Sequence, residues 1–287
     1  MVYLKSFTIL SREQEETFLD SIKETCYTTR YPFNIFRYRN VPQLEFEPLT
    51  IFYGGNGSGK TTLLNMIAER LHLAREAAYN RSSFFEDYVQ ECSYKMASGE
   101  TVPTGSRIIT SDDVFDYLLD IRRINQGIDA EKVKLFDQYV SDKYEPFQLK
   151  GLDDYKEFKR RCDAKSKSRS RFVKERLMEN VQERSNGESG LYYFTDAIKE
   201  NALYLLDEPE NSLSAALQMK LKSFLEDSAR FYHCQFIIST HSPFLLSMQG
   251  AKIYDLDSDP IAVKPWTELE NVKTYYGFFK SHEKEFF

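Results

Sequence analysis

The residues best suited to chemistry lie in one run, Gly54-Gly55-Asn56-Gly57-Ser58-Gly59-Lys60-Thr61-Thr62, which satisfies the pattern G-x-x-x-x-G-K-[ST] with one glycine to spare. Glycines at this spacing let backbone N–H groups turn inward around a polyphosphate. The helix expected to start there adds unpaired N–H donors and a positive dipole end. Lys60 then reaches the β- and γ-phosphates, and the Thr61 hydroxyl holds a Mg²⁺ ion. The alternative is a glycine-rich turn with an incidental lysine. Against it stand both flanks: a β-rich run, Leu49-Thr50-Ile51-Phe52-Tyr53, precedes the loop, and a helical run, Thr62 to Arg70, follows it.

A second group of chemically useful residues ends an apolar run, Ala202-Leu203-Tyr204-Leu205-Leu206-Asp207-Glu208-Pro209-Glu210. A continuous apolar run predicts a strand buried on both faces of a parallel sheet. Asp207, at its C-terminal end, then lies beside the phosphate loop, where it binds Mg²⁺ directly or through water. Glu208 faces the γ-phosphate and orients or deprotonates the attacking water. Read alone, the two acids equally suit the cap of the helix that follows. The next apolar run ends Ile237-Ile238-Ser239-Thr240-His241-Ser242-Pro243. His241 is either a structural histidine or a γ-phosphate sensor and hydrogen-bond donor, and its place at a strand end favours the second. A third piece, Arg184-Ser185-Asn186-Gly187-Glu188-Ser189-Gly190, precedes a helix running to about Asn201 and forms a second anion site. It stands about twenty residues before Asp207, too far round the fold to meet its own phosphate loop, so the economical reading gives it the nucleotide of another subunit.

These residues need an α/β scaffold, and the rest of the chain supplies one. Val2 to Leu10 and Leu44 to Glu47 predict early strands, and Arg107 to Thr110 a further short one. Ser111 is expected to cap the next helix, with Asp112 and Asp113 at its positive end. From about Val114 to Arg184 the chain turns charged and helical, with turns expected at Gly127 and Gly151. Residues 112–184 are therefore expected to form a helical lobe inserted in a single domain spanning 1–287. Within it, Lys156 to Arg176 is strongly basic and includes Lys165-Ser166-Lys167-Ser168-Arg169-Ser170-Arg171. It reads as a solvated, mobile loop or, more sharply, as a segment contacting phosphate or nucleic acid. The α/β rhythm then returns: a helix over Ser214 to Ser228, a strand over Gln235 to Ser239, short strands at Lys252 to Tyr254 and Ile261 to Val263, and a helical tail from Trp266.

Composition sets outer bounds. A chain of 287 residues buries a large core, and its net charge of -6 argues against a globally basic nucleic-acid binder. The 22 Phe and 19 Tyr are scattered, as core and packing material would be. Cys26, Cys92, Cys162 and Cys234 are far apart, which suits free thiols better than disulfides or a zinc site. No stretch reaches membrane-helix length, and the first residues lack a signal-peptide pattern, so a cytoplasmic protein with no membrane partner is expected.

The chain resembles the ATP-binding-cassette (ABC-type) ATPases, in the branch of short bacterial "AAA family ATPase" proteins akin to RecF-, SMC- and OLD-type heads. Tyr31-Pro32-Phe33-Asn34, Leu44-Glu45-Phe46 and Gly54 to Thr62 resemble that branch's N-terminal half. Leu206 to Ser214 and Ser239 to Leu246 resemble its C-terminal half. The resemblance implies a P-loop NTPase fold of ABC-ATPase type, with a mixed, largely parallel sheet, an antiparallel N-terminal β part and the helical insert. It makes Gly54 to Thr62 the Walker A loop, Asp207 and Glu208 the Walker B aspartate and catalytic glutamate, Ser185-Asn186-Gly187-Glu188 the signature motif, Ser212 to Ser214 the D-loop and His241 the switch histidine. It also implies ATP and Mg²⁺ as cofactors and a head-to-tail homodimer that sandwiches two ATP molecules, each signature serine touching the other head's γ-phosphate.

Some positions depart from that pattern. Arg184 replaces a leucine, Asn186 a glycine, and Ser214 the aspartate of transporter D-loops; Gln90 and Gln126 are both poorly placed for a Q-loop. These departures argue against a transporter subunit. ATP turnover is then expected to serve DNA or RNA in repair or defence. The alternative is a regulatory switch for a partner effector protein, docked on the helical lobe. No long coiled coil is present, and no room for a Toprim nuclease follows the ATPase. Tyr38 and Tyr53 are the aromatic candidates for stacking on adenine.

Overall fold

The computed structural model describes residues 1–21, 29–33, 35–36, 41, 43–147, 155–177 and 185–286. Asn34, Tyr38, Cys26, Gly151 and Arg184, named above, lie outside these residues. The chain divides into two compact units, one of residues 1–115 with 186–287, the other of residues 116–185.

The first unit is built on a six-stranded sheet. Its strands are β3 (Leu49–Tyr53), β5 (Arg107–Thr110), β6 (Leu203–Asp207), β7 (Gln235–Ser239), β8 (Lys252–Asp255) and β9 (Ala262–Val263), in the order β5-β6-β7-β3-β8-β9. All neighbours are parallel except β8 and β9. Every residue of β3, β6 and β7 is buried. That is the reason these segments read as unbroken apolar runs: helices cover both faces of a parallel sheet, so neither face needs polar side chains. Three more strands, β1 (Leu4–Thr8), β2 (Leu44–Glu45) and β4 (Ser93–Met96), form a separate antiparallel sheet in the order β2-β1-β4. Side chains stitch the two sheets together: the Tyr254 phenol of β8 bonds the Glu45 N–H (2.9 Å) and carbonyl (3.0 Å) of β2, and Gln235 bonds β1. Gln235, fully buried at the start of β7, accepts N–H bonds from Tyr3 (2.8 Å) and Leu4 (2.9 Å) and donates to the Leu4 carbonyl (2.8 Å). A glutamine amide can both donate and accept, so it closes the gap without leaving a buried polar group unpaired.

Helix α1 (Arg12–Ser21) follows β1, α2 (Lys60–Arg70) follows the glycine-rich loop, and α3 (Phe85–Glu91) precedes β4. The apolar side of α2, with Leu63, Leu64, Met66 and Ile67 all inaccessible to solvent, packs into a core with Phe52, Tyr88, Leu205 and Ile237. The helix that carries Lys60 and Thr61 is thereby fixed to the strands that carry Asp207 and Ser239.

The second unit contains helices and no strand among its described residues. It holds most of α4 (Ser111–Tyr144), then α5 (Tyr155–Ser166) and α6 (Arg169–Lys174), around a small core of Leu135, Tyr139, Ala164, Phe172 and Val173. Three expectations are corrected in and near it. Gly127 is not a turn: α4 runs straight through it, because a single glycine costs a helix only about 1 kcal/mol. Ser111 does not cap α4. Thr110 does, in a capping-box arrangement: the Thr110 N–H donates to Asp113 Oδ2 (2.6 Å), and the Asp113 N–H approaches Thr110 Oγ1 (3.4 Å). The basic stretch from Lys156 to Arg176 is not a loop but two helices, α6 being capped by Ser168. Its cations meet carboxylates: Arg160 and Arg161 bond Asp142 and Glu157, Lys167 bridges Asp163 and Glu175, Arg171 bonds Glu175, and Arg176 bonds Asp163.

Helices α7 (Asn186–Ala197), α8 (Ala215–Phe231), α9 (Pro243–Leu246) and α10 (Glu270–Ser281) complete the first unit. Among the described residues no helix is long and apolar enough to cross a membrane. Cys92 and Cys234 are buried free thiols and Cys162 an exposed one. Burial pushes the Cys92 thiol up to about 12.

Candidate functional site

The C-terminal ends of β3, β6 and β7 meet at one edge of the large sheet, the place where ligands bind in open α/β folds. Register makes the meeting specific. Phe52 of β3 pairs with Ser239 of β7, and Ser239 pairs in turn with Asp207 of β6. The loop leaving β3, the acids leaving β6 and the Ser239-Thr240-His241 turn leaving β7 therefore share one neighbourhood.

The loop's glycines are there for steric reasons. Gly59 has φ +97°, and a Cβ added to it would stand 2.6 Å from Phe36 Cζ. Gly54 turns the chain so tightly that a Cβ would meet Ser58 Oγ at 2.6 Å. Helix α2 begins without a side-chain cap, so its first N–H groups are left to an anion. Lys60 is nearly buried, with 5% of its surface exposed. Its ammonium donates to the carbonyls of Gly54 (2.8 Å) and Gly55 (3.1 Å) and lies 3.7 Å from Glu208 Oε1. A cavity of about 280 Å³ opens here, lined by Ile35, Asn56, Gly57, Ser58, Gly59, Lys60, Thr61, Thr62 and Glu208.

Thr61 Oγ1 donates to Asp207 Oδ1 (3.1 Å), and the Ser239 hydroxyl donates to the same oxygen. Burial pushes the Asp207 carboxyl up, against the pull of those two hydroxyls. The pair suits Mg²⁺, since both offer hard oxygen donors. A Mg²⁺ with one hydroxyl and one carboxylate from the protein takes its other ligands from phosphate and water. Asp207→Asn separates the costs. Asparagine keeps the Oδ1 acceptor but not the buried charge. A raised folded pKa means that stability from this group is complete below the unfolded value and lost as pH rises through the folded one. At pH 7 the nucleotide-free Asn variant should therefore melt higher, by roughly 2–4 °C, while losing the extra thermal protection that Mg²⁺ adds to ATP. Scanning calorimetry reads both; an unchanged Mg²⁺ effect would remove Asp207 from the metal site.

Glu208 sits in the left-handed region at φ +47°, unusual for a residue other than glycine and held by its N–H bonds to the Ser239 carbonyl (3.0 Å) and Ser239 Oγ (3.1 Å). Its carboxylate accepts from Asn211 Nδ2 (3.2 Å) and lies 3.9 Å from His241 Nδ1. Loop, Asp207, Glu208 and His241 are thus gathered within a few ångströms. Ser185, Asn186, Gly187 and Glu188 are not among the residues lining this cavity. Ser185 is exposed, and Gly187 packs so closely on the segment after β6 that a Cβ would stand 3.2 Å from the Ser212 carbonyl and 2.7 Å from Leu217 Cδ1.

Tyr53 is buried and its phenol accepts the Asn271 N–H (3.0 Å), so it offers no free face to adenine; that expectation is corrected, and Tyr38 lies outside the described residues. Two acids that carry the geometry were given no role by the sequence reading. Asp257, just after β8, accepts the Gly55 N–H (2.7 Å) and pins the near side of the loop. Glu210 is buried beneath the turn after β7, where Oε1 accepts from Thr240 Oγ1 (2.5 Å), the His241 N–H (3.0 Å) and the Ser242 N–H (3.2 Å); burial pushes its carboxyl up. Glu210 was visible as the last acid of the run Asp207-Glu208-Pro209-Glu210. For Asp257 the sequence held no signal beyond an aspartate in a turn.

Residues 174–247 match the family model described as "AAA domain, putative AbiEii toxin, Type IV TA system". No curated protein matches. Among solved structures, the chain is similar to the Smc head domain of Pyrococcus furiosus with an extended coiled coil, bound to the C-terminal domain of ScpA, at 13% identity, covering 99% of this chain and 100% of that one with a TM-score of 0.44. It is similar to the SMC head domain of Thermotoga maritima at 12% identity, covering 92% and 98%, with a TM-score of 0.39. It is also similar to a dimeric ATP-binding cassette in a post-hydrolysis state with ADP and phosphate, at 13% identity, covering 94% and 100%, with a TM-score of 0.39.

Proposed function

We propose that this chain, an ATPase-type P-loop domain of the ABC and SMC kind, binds ATP at Gly54 to Thr62, hydrolyses it, and does so as a head-to-tail dimer closed over the nucleotide. The observation that carries this reading is the convergence of Lys60, Thr61, Asp207 and Glu208: Thr61 touches Asp207 at 3.1 Å, and Lys60 lies 3.7 Å from Glu208. Lys60 exchanges its loop carbonyls for phosphate oxygens. Thr61 and Asp207 would hold Mg²⁺, which neutralises phosphate charge when bound. Glu208, steadied by Asn211, takes the proton of the attacking water, and His241 donates to the developing charge. Catalysis of this type is mostly positioning and charge stabilisation.

Ser185 closes the site of the second copy. Its exposure just before α7 supports that use. Ser185→Arg should therefore abolish ATP-dependent dimers and cut turnover by roughly 100-fold or more, the scale of losing one charge-stabilising donor, while the monomer binds ATP as before. Unchanged turnover would remove the role in trans.

The cycle is read as driving nucleic-acid work in repair or defence, on the motif likeness to RecF-, SMC- and OLD-type heads and the basic helices α5 and α6. A DNA or RNA mobility shift that weakens with salt is the expected result; no shift at low salt, with and without ATP, would rule it out. The carboxylate partners of α5 and α6 leave room for a second reading, an ATP-dependent switch for a partner protein.

A further inference from the structure

Helix α10 buries one residue, Val272, and leaves large aromatics in solvent: Tyr275 is 44% exposed, Tyr276 65% and Phe279 53%. These three side chains, with Trp266, wall a groove of about 470 Å³ whose other side is the switch turn, with His241 and Glu210. Leaving this much aromatic surface in water is unfavourable unless something covers it. Charge identifies the occupant. Glu210 is 5% exposed and its carboxylate accepts three hydrogen bonds on Oε1, while Oε2 is buried with no hydrogen-bond partner. Among the described residues no lysine or arginine lines the groove. The rings already attract cations, since Lys280 Nζ stands 5.5 Å from the Tyr276 centroid.

We propose that this groove receives an arginine side chain presented by a partner protein. A guanidinium is planar, weakly hydrated and able to stack on aromatic faces while donating to a carboxylate. A nucleic acid fits poorly, because its phosphates would meet Glu210 with no cation between them. The groove also touches the ATP site. Asn271 at the start of α10 donates from Nδ2 to the His241 carbonyl (2.8 Å), and Glu210 holds the His241 N–H. An arginine seated here lies against Glu210, one of the two anchors of that turn, so docking reports to the histidine beside Glu208. The docking stands without the nucleotide reading; only its link to turnover rests on it.

Trp266 is the chain's single tryptophan, so its emission watches the groove directly. The whole chain, free of nucleotide, is titrated with the peptide acetyl-Gly-Arg-Gly-amide and with its neutral citrulline counterpart. The expected result is a saturable change in emission with the arginine peptide, with citrulline binding about tenfold weaker or more. Tyr276→Ser, at a surface position, should weaken the arginine peptide about fivefold or more with circular dichroism and ATP binding unchanged. Equal responses to the two peptides, or none, would overturn the proposal. So would emission that depends on protein concentration alone, which would give the groove to a second copy of the chain. Because no nucleotide is present, failure here is distinct from failure of the ATPase reading.

Discussion

Lys60→Ala is expected to bind ATP at least about 30-fold more weakly than the unaltered chain, with its fold intact. The size follows from where the ammonium sits. It is 5% exposed, shared between the Gly54 and Gly55 carbonyls, and 3.7 Å from Glu208. Removing it leaves a polyphosphate facing Glu208 and Asp207 with less positive charge between them. Truncating one partner of a buried, hydrogen-bonded charge pair costs about 2–5 kcal/mol, or roughly 30- to 4000-fold in Kd. The fold is spared because the burial that holds α2 is done by Leu63, Leu64, Met66 and Ile67, on the other side of the loop. Titration calorimetry with ATP and Mg²⁺ measures the loss. A Kd within threefold of the unaltered chain would show that the loop does not grip the triphosphate.

Glu208→Gln is expected to separate binding from chemistry. Glutamine keeps the side-chain oxygen that Asn211 contacts and leaves the backbone bonds to Ser239 in place. It removes only the group that accepts a proton from water. General-base catalysis contributes about 100- to 10,000-fold, so single-turnover phosphate release should slow by that factor while ATP affinity stays within about threefold. Hydrolysis at the unaltered rate would place the base elsewhere. His241 Nδ1 is then the group to test, at 3.9 Å from the same carboxylate.

The sequence disclosed what is local and hid what is long-range. The glycine loop, the apolar strand ending in Asp207 and the strand ending before His241 were legible because each is a contiguous run with its own physical rationale. Parallel order followed from the same runs, since β3, β6 and β7 are buried on both faces. The strand β4 was missed because Ser93 to Lys95 are exposed and carry no apolar alternation; only pairing with β1 makes them a strand. Gly127 misled because glycine marks turns on average, yet the flanking helix is long enough to absorb one. The basic stretch read as a loop because its compensating acids are partly remote in sequence: Arg160 meets Asp142 across the gap between α4 and α5. Glu210 and Asp257 reach partners about 30 and 200 residues away, Thr240 and Gly55, and no local pattern encodes such a reach. Tyr53 was offered to adenine on residue type alone; its position in a fully buried strand decides otherwise.

The central claim is that one copy's phosphate loop and another copy's Ser185 close on the same ATP. The most direct test is the solution mass of the Glu208→Gln chain with saturating ATP and Mg²⁺, by light scattering across a range of protein concentrations. The expected result is the mass of two chains with ATP and of one chain without it, and a return to one chain when Ser185→Arg is added. A single-chain mass at every concentration, with ATP demonstrably bound, would contradict it.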